Sequence, residues 1–159
     1  ARGRGKKGGG DRCMGRSRGG LTTKIHALVD GKGLPLRFEL TPGQAHDSQA
    51  AAALLDNLQA DCFVLGDKAY DADWIRELIE AQDAAANIPD RSNRKAGHAF
   101  SPTLYRERNR IERFFNRIKH YRRIATRYEK LAASYLAMLQ FAAVRVWLRL
   151  KPPVNESTA

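Results

Sequence analysis

The fold of this chain is decided by a short central stretch, Cys62-Phe63-Val64-Leu65-Gly66-Asp67. Four apolar residues in a row, bounded by polar neighbours, predict a β-strand that is covered on both faces. The predicted strand ends at Gly66 and Asp67, and the carboxyl ends of such strands form the edge where α/β sheets bind ligands. Asp67 is therefore a candidate for chemistry, although a turn or capping aspartate is the alternative, as for Asp71 and Asp73.

Strand and helix patterns alternate on both sides of this stretch. Two segments that alternate polar and apolar residues flank the turn Asp30-Gly31-Lys32-Gly33, which predicts a β-hairpin. Amphipathic and alanine-rich stretches predict helices. The order of elements predicts an α/β fold with a mixed sheet flanked by helices. The predicted strands are 23–29, 34–40, 62–65 and 84–88, and the predicted helices are 47–58, 73–81, 103–120 and 130–150.

The two ends of the chain differ from this region in composition. Residues 1–20 form a basic Gly/Arg-rich leader with seven cations and one acid. We expect it to be either a flexible solvated tail or a loop that becomes ordered on DNA. Residues 21–150 are expected to form one globular domain, and residues 151–159 a polar tail. No stretch has the character of a signal peptide or a membrane span, so we expect a soluble, cytoplasmic protein.

The charge balance favours a polyanionic partner. The chain has 28 Lys and Arg against 17 Asp and Glu, a net charge of +11. Neutralising phosphates releases condensed counterions, which makes nucleic acid the favoured partner, although other basic proteins share this composition. The two cysteines, Cys13 and Cys62, belong to no CxxC pair, so neither a zinc site nor a disulfide framework is indicated.

One face of the predicted helix 103–120 carries a second candidate for chemistry. Tyr105, Arg108, Glu112 and Lys119 lie within an arc of about 60°, at about 100° per residue. An ordinary ladder of surface ion pairs would give the same pattern. The alternative is a carboxylate that binds a divalent metal ion beside cations that hold phosphates, which requires a second carboxylate such as Asp67. The side chains expected to face the core are Leu104, Ile111, Phe115 and Ile118.

The spacing Tyr105-x2-Arg108-x3-Glu112-x6-Lys119 matches the Tyr-Arg-Glu-Lys signature of insertion-sequence transposases of the DDE superfamily. More narrowly, the chain resembles insertion-sequence family five. The resemblance extends from about Gly15 to Leu150. The blocks that carry it are Gly15-Arg-Ser-Arg-Gly-Gly-Leu-Thr-Thr-Lys-Ile-His26, Leu40-Thr-Pro-Gly-Gln-Ala-His-Asp47, Asp67-Lys-Ala-Tyr-Asp71 and Arg108-Asn-Arg-Ile-Glu-Arg-Phe-Phe-Asn-Arg-Ile-Lys119.

This resemblance implies a ribonuclease H-like fold in which three acidic residues hold two Mg²⁺ or Mn²⁺ ions. In that family a metal-activated water cuts one strand at the transposon end, and the freed 3′-OH attacks target DNA. By position, Asp67 corresponds to the second aspartate and Glu112 to the glutamate. Tyr105, Arg108 and Lys119 would contact DNA near the cleaved phosphate. A homodimer in a synaptic complex is a further expected partner.

The family's first aspartate lies on a strand that precedes the Gly/Arg-rich segment, and no such strand is visible before Leu21. Asp11 has no apolar run beside it and is not assigned to that position. We expect the missing strand to belong to an upstream reading-frame product or a lost part of the gene, which would leave an unpaired gap in the sheet. The chain is then a transposase that lacks its first catalytic aspartate and is inactive alone, a non-catalytic DNA-binding remnant, or a nuclease of unrelated duty.

Overall fold

The computed structural model describes residues 11–17, 20–95 and 97–150. The predicted tail 151–159 and residues 1–10, 18 and 19 of the predicted leader lie outside these residues. The strands are β1 (Gly15–Ser17), β2 (Gly20–Val29), β3 (Pro35–Pro42), β4 (Phe63–Leu65) and β5 (Ala85–Asn87). The α-helices are α1 (Ala51–Leu54), α2 (Asp73–Glu80), α3 (Pro102–Tyr105), α4 (Asn109–Lys119), α5 (Arg122–Ala125) and α6 (Ala132–Leu150). Short 3-10 turns span Asp47–Ala50, Lys68–Tyr70 and Arg106–Arg108.

The predicted hairpin is present as the antiparallel pair β2 and β3. Asp30 closes its turn, because its carboxylate accepts hydrogen bonds from the backbone N–H of Lys32 and Leu34, each at 2.8 Å. Gly33 has a φ of 78°, a conformation that favours glycine. Alternate side chains of β2 pack in different hydrophobic clusters. Ile25, Ala27 and Val29 pack against the C-terminal helices, and Leu28 packs against the cluster that contains α1 and α2.

Part of the predicted leader is an ordered strand. β1 pairs antiparallel with the first residues of β2, with Gly15 opposite Thr22 and Ser17 opposite Gly20. The prediction that residues 1–20 form a flexible leader therefore does not hold for 15–17. Composition did not reveal this strand, because its three residues have no apolar run and obtain their hydrogen bonds from a neighbour.

The expected single mixed sheet is instead two sheets among the described residues. One contains β1, β2 and β3, and the other contains the parallel pair β4 and β5, joined through α2. The expectation that the central strand is covered on both faces is also wrong, because Phe63 is 62% exposed. β4 has only β5 as a strand partner in the described chain, so one side of it borders open space rather than a further strand.

Two hydrophobic cores correspond to the two sheets. The first contains α1, α2, β4 and β5 around the fully buried Ala51, Ile75 and Ile79. In the second, α4, α5 and α6 pack on one face of the hairpin around Phe114 and Leu139. In the described part of the chain, no helix is both long and apolar enough to cross a bilayer.

The helices differ from prediction in their continuity. The predicted helix 103–120 is interrupted by the 3-10 turn Arg106–Arg108, which a periodicity argument cannot detect because side chains three apart share a face in both conformations. The predicted helix 47–58 ends at Leu54, and Asn57 then takes a left-handed φ of 53°, as at many helix ends. On α4, Phe114 and Ile118 are buried. Of the two, only Ile118 was among the residues predicted to face the core, and the predicted Leu104 is only half-buried.

Candidate active site

A groove separates the two sheets. This cavity of about 920 Å³ is lined by the continuous runs 24–31 at β2 and 62–67 at β4, and by residues of the segment 107–115. β2 and β4 form no strand pair with each other, although both border the same cavity. Among the described residues, the sides of β2 and β4 that border the groove therefore have no strand partner in each other.

Asp67 stands at the end of the groove where β4 stops. Its Oδ1 accepts a hydrogen bond from the backbone N–H of Ala69 at 2.9 Å, which makes it the cap of the 3-10 turn that follows. The capping alternative considered for Asp67 is thus present in the structure. Its Oδ2 points elsewhere, 3.3 Å from Nη2 of Arg108, and the side chain is 41% exposed. One carboxylate oxygen fixes the turn and the other remains available to a cation.

Glu112 contacts the same guanidinium as Asp67, that of Arg108. It lies in the first turn of α4, 58% exposed, and its Oε1 accepts a hydrogen bond from Nη1 of Arg108 at 2.8 Å. This pair is the (i, i+4) contact of the ion-pair ladder. The same guanidinium also contacts Asp67, so two carboxylates that are 45 positions apart in the sequence share one cation.

Three of the four signature residues, Tyr105, Arg108 and Glu112, meet at this contact, and Lys119 stands apart. The Arg108 guanidinium lies 5.8 Å from the centroid of the Tyr105 ring, which itself packs against Phe100 at 5.3 Å. Burial would lower the pKa of Arg108, but the hydrogen bond with Glu112 and the charge of Asp67 raise it, so Arg108 stays cationic. Lys119 is exposed at the far end of α4 and has no hydrogen bond or ion pair with any described residue.

A buried histidine supports the turn that carries Asp67. His26 on β2 lies 2.8 Å from Oγ1 of Thr41 and 3.1 Å from the hydroxyl of Tyr70. Burial lowers the pKa of His26, although the nearby Asp47 opposes that shift. Burial, with the charges of Asp47 and Asp67, raises the pKa of Tyr70 to about 12. These contacts give His26 a structural role, because they link β2 to the turn that follows β4.

A second acidic cluster, not predicted from the sequence, anchors the basic loop 90–98. The Asp71 carboxylate is buried and accepts hydrogen bonds from Arg76 and Arg94, each at 2.9 Å, and from the backbone N–H of Arg91 at 2.8 Å. Burial alone would raise the pKa of Asp71, but these hydrogen bonds outweigh it and hold the pKa below its ordinary value. The sequence signal available for this cluster was the basic stretch that contains Arg91, Arg94 and Lys95.

Asp71, Asp90 and His98 also offer ligand atoms within 4.8 Å of one another, a spacing that a metal ion accepts. Arg76 and Arg94 already compensate these carboxylates, with Arg76 contacting Asp90 at 3.2 Å. The oxygen ligands of Asp67 and Glu112 have one shared guanidinium between them and are open to the groove. Hard divalent ions prefer carboxylate oxygen, and the pair in the groove has fewer cations bound to it than this cluster has.

Comparison with known proteins identifies the class. Residues 1–147 match the family described as the transposase DDE domain, and this chain belongs to that family. Domains of this family use divalent metal ions. The match includes the segment 1–20, which composition alone had separated from the domain.

The chain is also similar to a protein of Brucella ovis named putative transposase for insertion sequence element IS6501. The two are 42% identical over 130 residues, which cover 81% of this chain and the whole of that protein. No solved structure matches the chain.

Asp11 lies away from the site: its backbone carbonyl accepts a hydrogen bond from Ala132, its carboxylate contacts Cys13, and it does not line the groove.

Proposed function

We propose that this chain is the metal-binding and DNA-binding part of an insertion-sequence transposase of the family-five type, with a ribonuclease H-like arrangement. In this proposal it cuts transposon ends and joins the freed 3′-OH to target DNA. The observation that supports the proposal is the meeting of Asp67 and Glu112 at the guanidinium of Arg108. The two carboxylates share a single guanidinium, are substantially exposed and line the groove, so their oxygens are accessible to a divalent cation.

Asp67 and Glu112 are the residues that would hold Mg²⁺ or Mn²⁺. Two such ions, when bound, would activate a water and neutralise the leaving oxygen of a phosphodiester. Arg108 would then exchange its carboxylate partners for a phosphate, a ligand that suits its two parallel N–H donors. Tyr105 would orient Arg108 through its ring, and Lys119 would contact the DNA backbone farther along α4.

The third carboxylate would come from a strand that occupies the groove. β2 and β4 both border the cavity without pairing with each other, and β-strand addition satisfies such edges by main-chain hydrogen bonds. A strand placed there and ending beside Asp67 would bring an acidic residue to the cation. An upstream reading-frame product is the proposed source, and a homodimer in the synaptic complex is the proposed assembly.

The test uses the chain extended by the upstream reading frame and a DNA substrate that carries the element's ends. Asp67→Asn and Glu112→Gln are each expected to abolish Mg²⁺-dependent strand cleavage while DNA binding remains largely intact. Glu77→Gln, an exposed carboxylate on α2, is the matched control and should cleave normally. Cleavage that persists in either site variant would exclude the assignment.

The second candidate function is a DNA-binding remnant without chemistry. It is favoured by one observation: among the described residues, no third carboxylate completes the Asp67 and Glu112 pair within ligand distance. The same experiment separates the two candidates, because a remnant binds the DNA ends but gives no cleavage in any extended form, with any divalent metal ion.

A further inference from the structure

The positive charge of this chain is unevenly distributed. Residues 21–108 contain ten Lys and Arg against thirteen Asp and Glu, whereas residues 109–150 contain ten Lys and Arg against only two acids, Glu112 and Glu129. Residues 21–108, which supply most of the groove lining, are thus slightly acidic, and residues 109–150 carry the excess of positive charge. A surface with that excess attracts polyanions.

The folded chain gathers some of these cations into one place. A shallow cavity of about 400 Å³ between the ends of α4 and α6 is lined by Arg117, His120, Tyr121, Val146 and Arg149. Arg145 adds a further cation, with its guanidinium 5.7 Å from the centroid of the Tyr121 ring. No acidic residue lines this cavity.

Arg117 and Arg149, which line this cavity, differ from several arginines elsewhere in the described chain in having no carboxylate partner. Arg76, Arg94, Arg108 and Arg110 each pair with a carboxylate. Arg117 and Arg149, in contrast, form no ion pair or side-chain hydrogen bond within the residues that the structure describes. Bringing like charges together without an acid costs electrostatic free energy, which a bound anion would offset.

The cavity is separate from the groove. Arg117 follows Glu112 by five residues, which places it about 140° around α4 from the carboxylate. None of the residues that line one cavity lines the other. The exposed Arg113, Arg122 and Arg123 extend the basic surface along α4 and α5, a path that a DNA backbone could follow.

We propose that Arg117, His120, Tyr121 and Arg149 form a second phosphate-binding site, which holds the backbone of duplex DNA outside the catalytic groove. The two guanidinium groups supply paired N–H donors for one or two neighbouring phosphates, and Tyr121 holds Arg145 beside them. The proposal rests on the proposed function only in taking duplex DNA as the ligand. A purely structural role is the rival, because Arg117 and Arg149 also stand in the last turns of their helices, where a cation stabilises the helix dipole.

The test measures binding of a labelled random-sequence DNA duplex by fluorescence anisotropy between about 50 and 200 mM salt. EDTA is present throughout, so that no divalent ion in the groove contributes. The double variant R117A/R149A is compared with the charge-matched control K32A/K95A, two exposed cations from the acidic half of the chain. The slope of log K against log salt is negative, and each phosphate contact contributes roughly −0.9 to it. R117A/R149A should therefore make the slope less negative by roughly two. R117K/R149K should keep the slope near that of the wild type, because its charges remain.

Three results would overturn this site. One is an unchanged slope in R117A/R149A with only a lower melting temperature, which is the outcome for dipole stabilisation alone. Another is an equal change of the slope in K32A/K95A, which would mean diffuse attraction without a site. The third is a single-stranded RNA of equal length that binds more tightly than the duplex and loses more affinity in R117A/R149A. In each case wild-type binding to duplex DNA leaves the proposed function standing, whereas a wild-type chain that binds no duplex would end both proposals.

Discussion

Arg108 occupies the position on which the interpretation of the groove depends. It contacts Asp67 at 3.3 Å and Glu112 at 2.8 Å, and both carboxylates are substantially exposed. Ion pairs with that exposure contribute little to stability, so the contact is informative about position rather than about folding energy. In the proposed site, a guanidinium held so weakly would be displaced by a divalent cation that binds carboxylate oxygen.

Lys119 provides a prediction at the scale of one residue. Its ammonium group is exposed and has no partner among the described residues, so its removal should leave the fold intact. Lys119→Ala is expected to weaken binding to duplex DNA and to reduce the salt slope by roughly one, the value for one phosphate contact. Lys119→Arg serves as the control that keeps the charge. A salt slope identical in wild type and Lys119→Ala would remove Lys119 from the DNA interface.

His26 provides a second residue-scale prediction. Its buried ring has a pKa below the ordinary value of histidine, so in the pH range just below that ordinary value, about 6.5, the unfolded chain binds a proton at this residue more readily than the folded chain does. The free energy of unfolding should therefore fall as the pH is lowered through that range, with Asp47 and Lys24 as the charged groups that face the ring. His26→Gln should show a shallower fall in urea titrations. Equal pH dependence of wild type and variant would contradict the buried neutral state, since the remaining histidines are common to both.

At the scale of elements, prediction succeeded where the pattern was local. The alternation of β2 and β3 and the turn chemistry of Asp30 and Gly33 gave the hairpin close to its observed bounds. β1 was missed because three polar residues become a strand only through a neighbouring edge. Helical spacing correctly placed Arg108 and Glu112 next to each other. Phe114 was not assigned to the core, because the break at Arg106–Arg108 rotates the core-facing residues relative to those of an uninterrupted helix.

The anchoring of the loop 90–98 to α2 gives a prediction at this scale. Asp71 and Arg76 are a buried ion pair, with side chains 1% and 5% exposed. Asp71→Asn would leave the buried Arg76 with the partly exposed Asp90, at 3.2 Å, as its remaining charge partner, and should lower the free energy of unfolding by about 3 kcal/mol. Asp73→Asn, 72% exposed on the same helix, should cost less than about 0.5 kcal/mol. Urea denaturation measures the free energy of unfolding of both variants, and equal small effects would show that Asp90 alone compensates the charge of Arg76.

At the scale of the whole molecule, two cores and two sheets enclose one groove. The sequence predicted an α/β order, a transposase resemblance and a gap in the sheet, and the family membership confirms the transposase assignment. It did not predict that the strands would separate into two sheets, because strand pairing depends on which edges meet and no local pattern records that. The sequence also did not predict the cluster around Asp71, because Arg76, Arg94 and Asp90 meet only in the folded chain.

The central claim is that Asp67 and Glu112 bind a common divalent cation. The most direct measurement is Mn²⁺ binding to this chain, followed by electron paramagnetic resonance of free Mn²⁺. Wild type should bind Mn²⁺, weakly because only two carboxylates contribute, and Asp67→Asn and Glu112→Gln should each lose that binding while Glu77→Gln keeps it. If both site variants bind Mn²⁺ as well as the wild type does, the two carboxylates do not form a metal site.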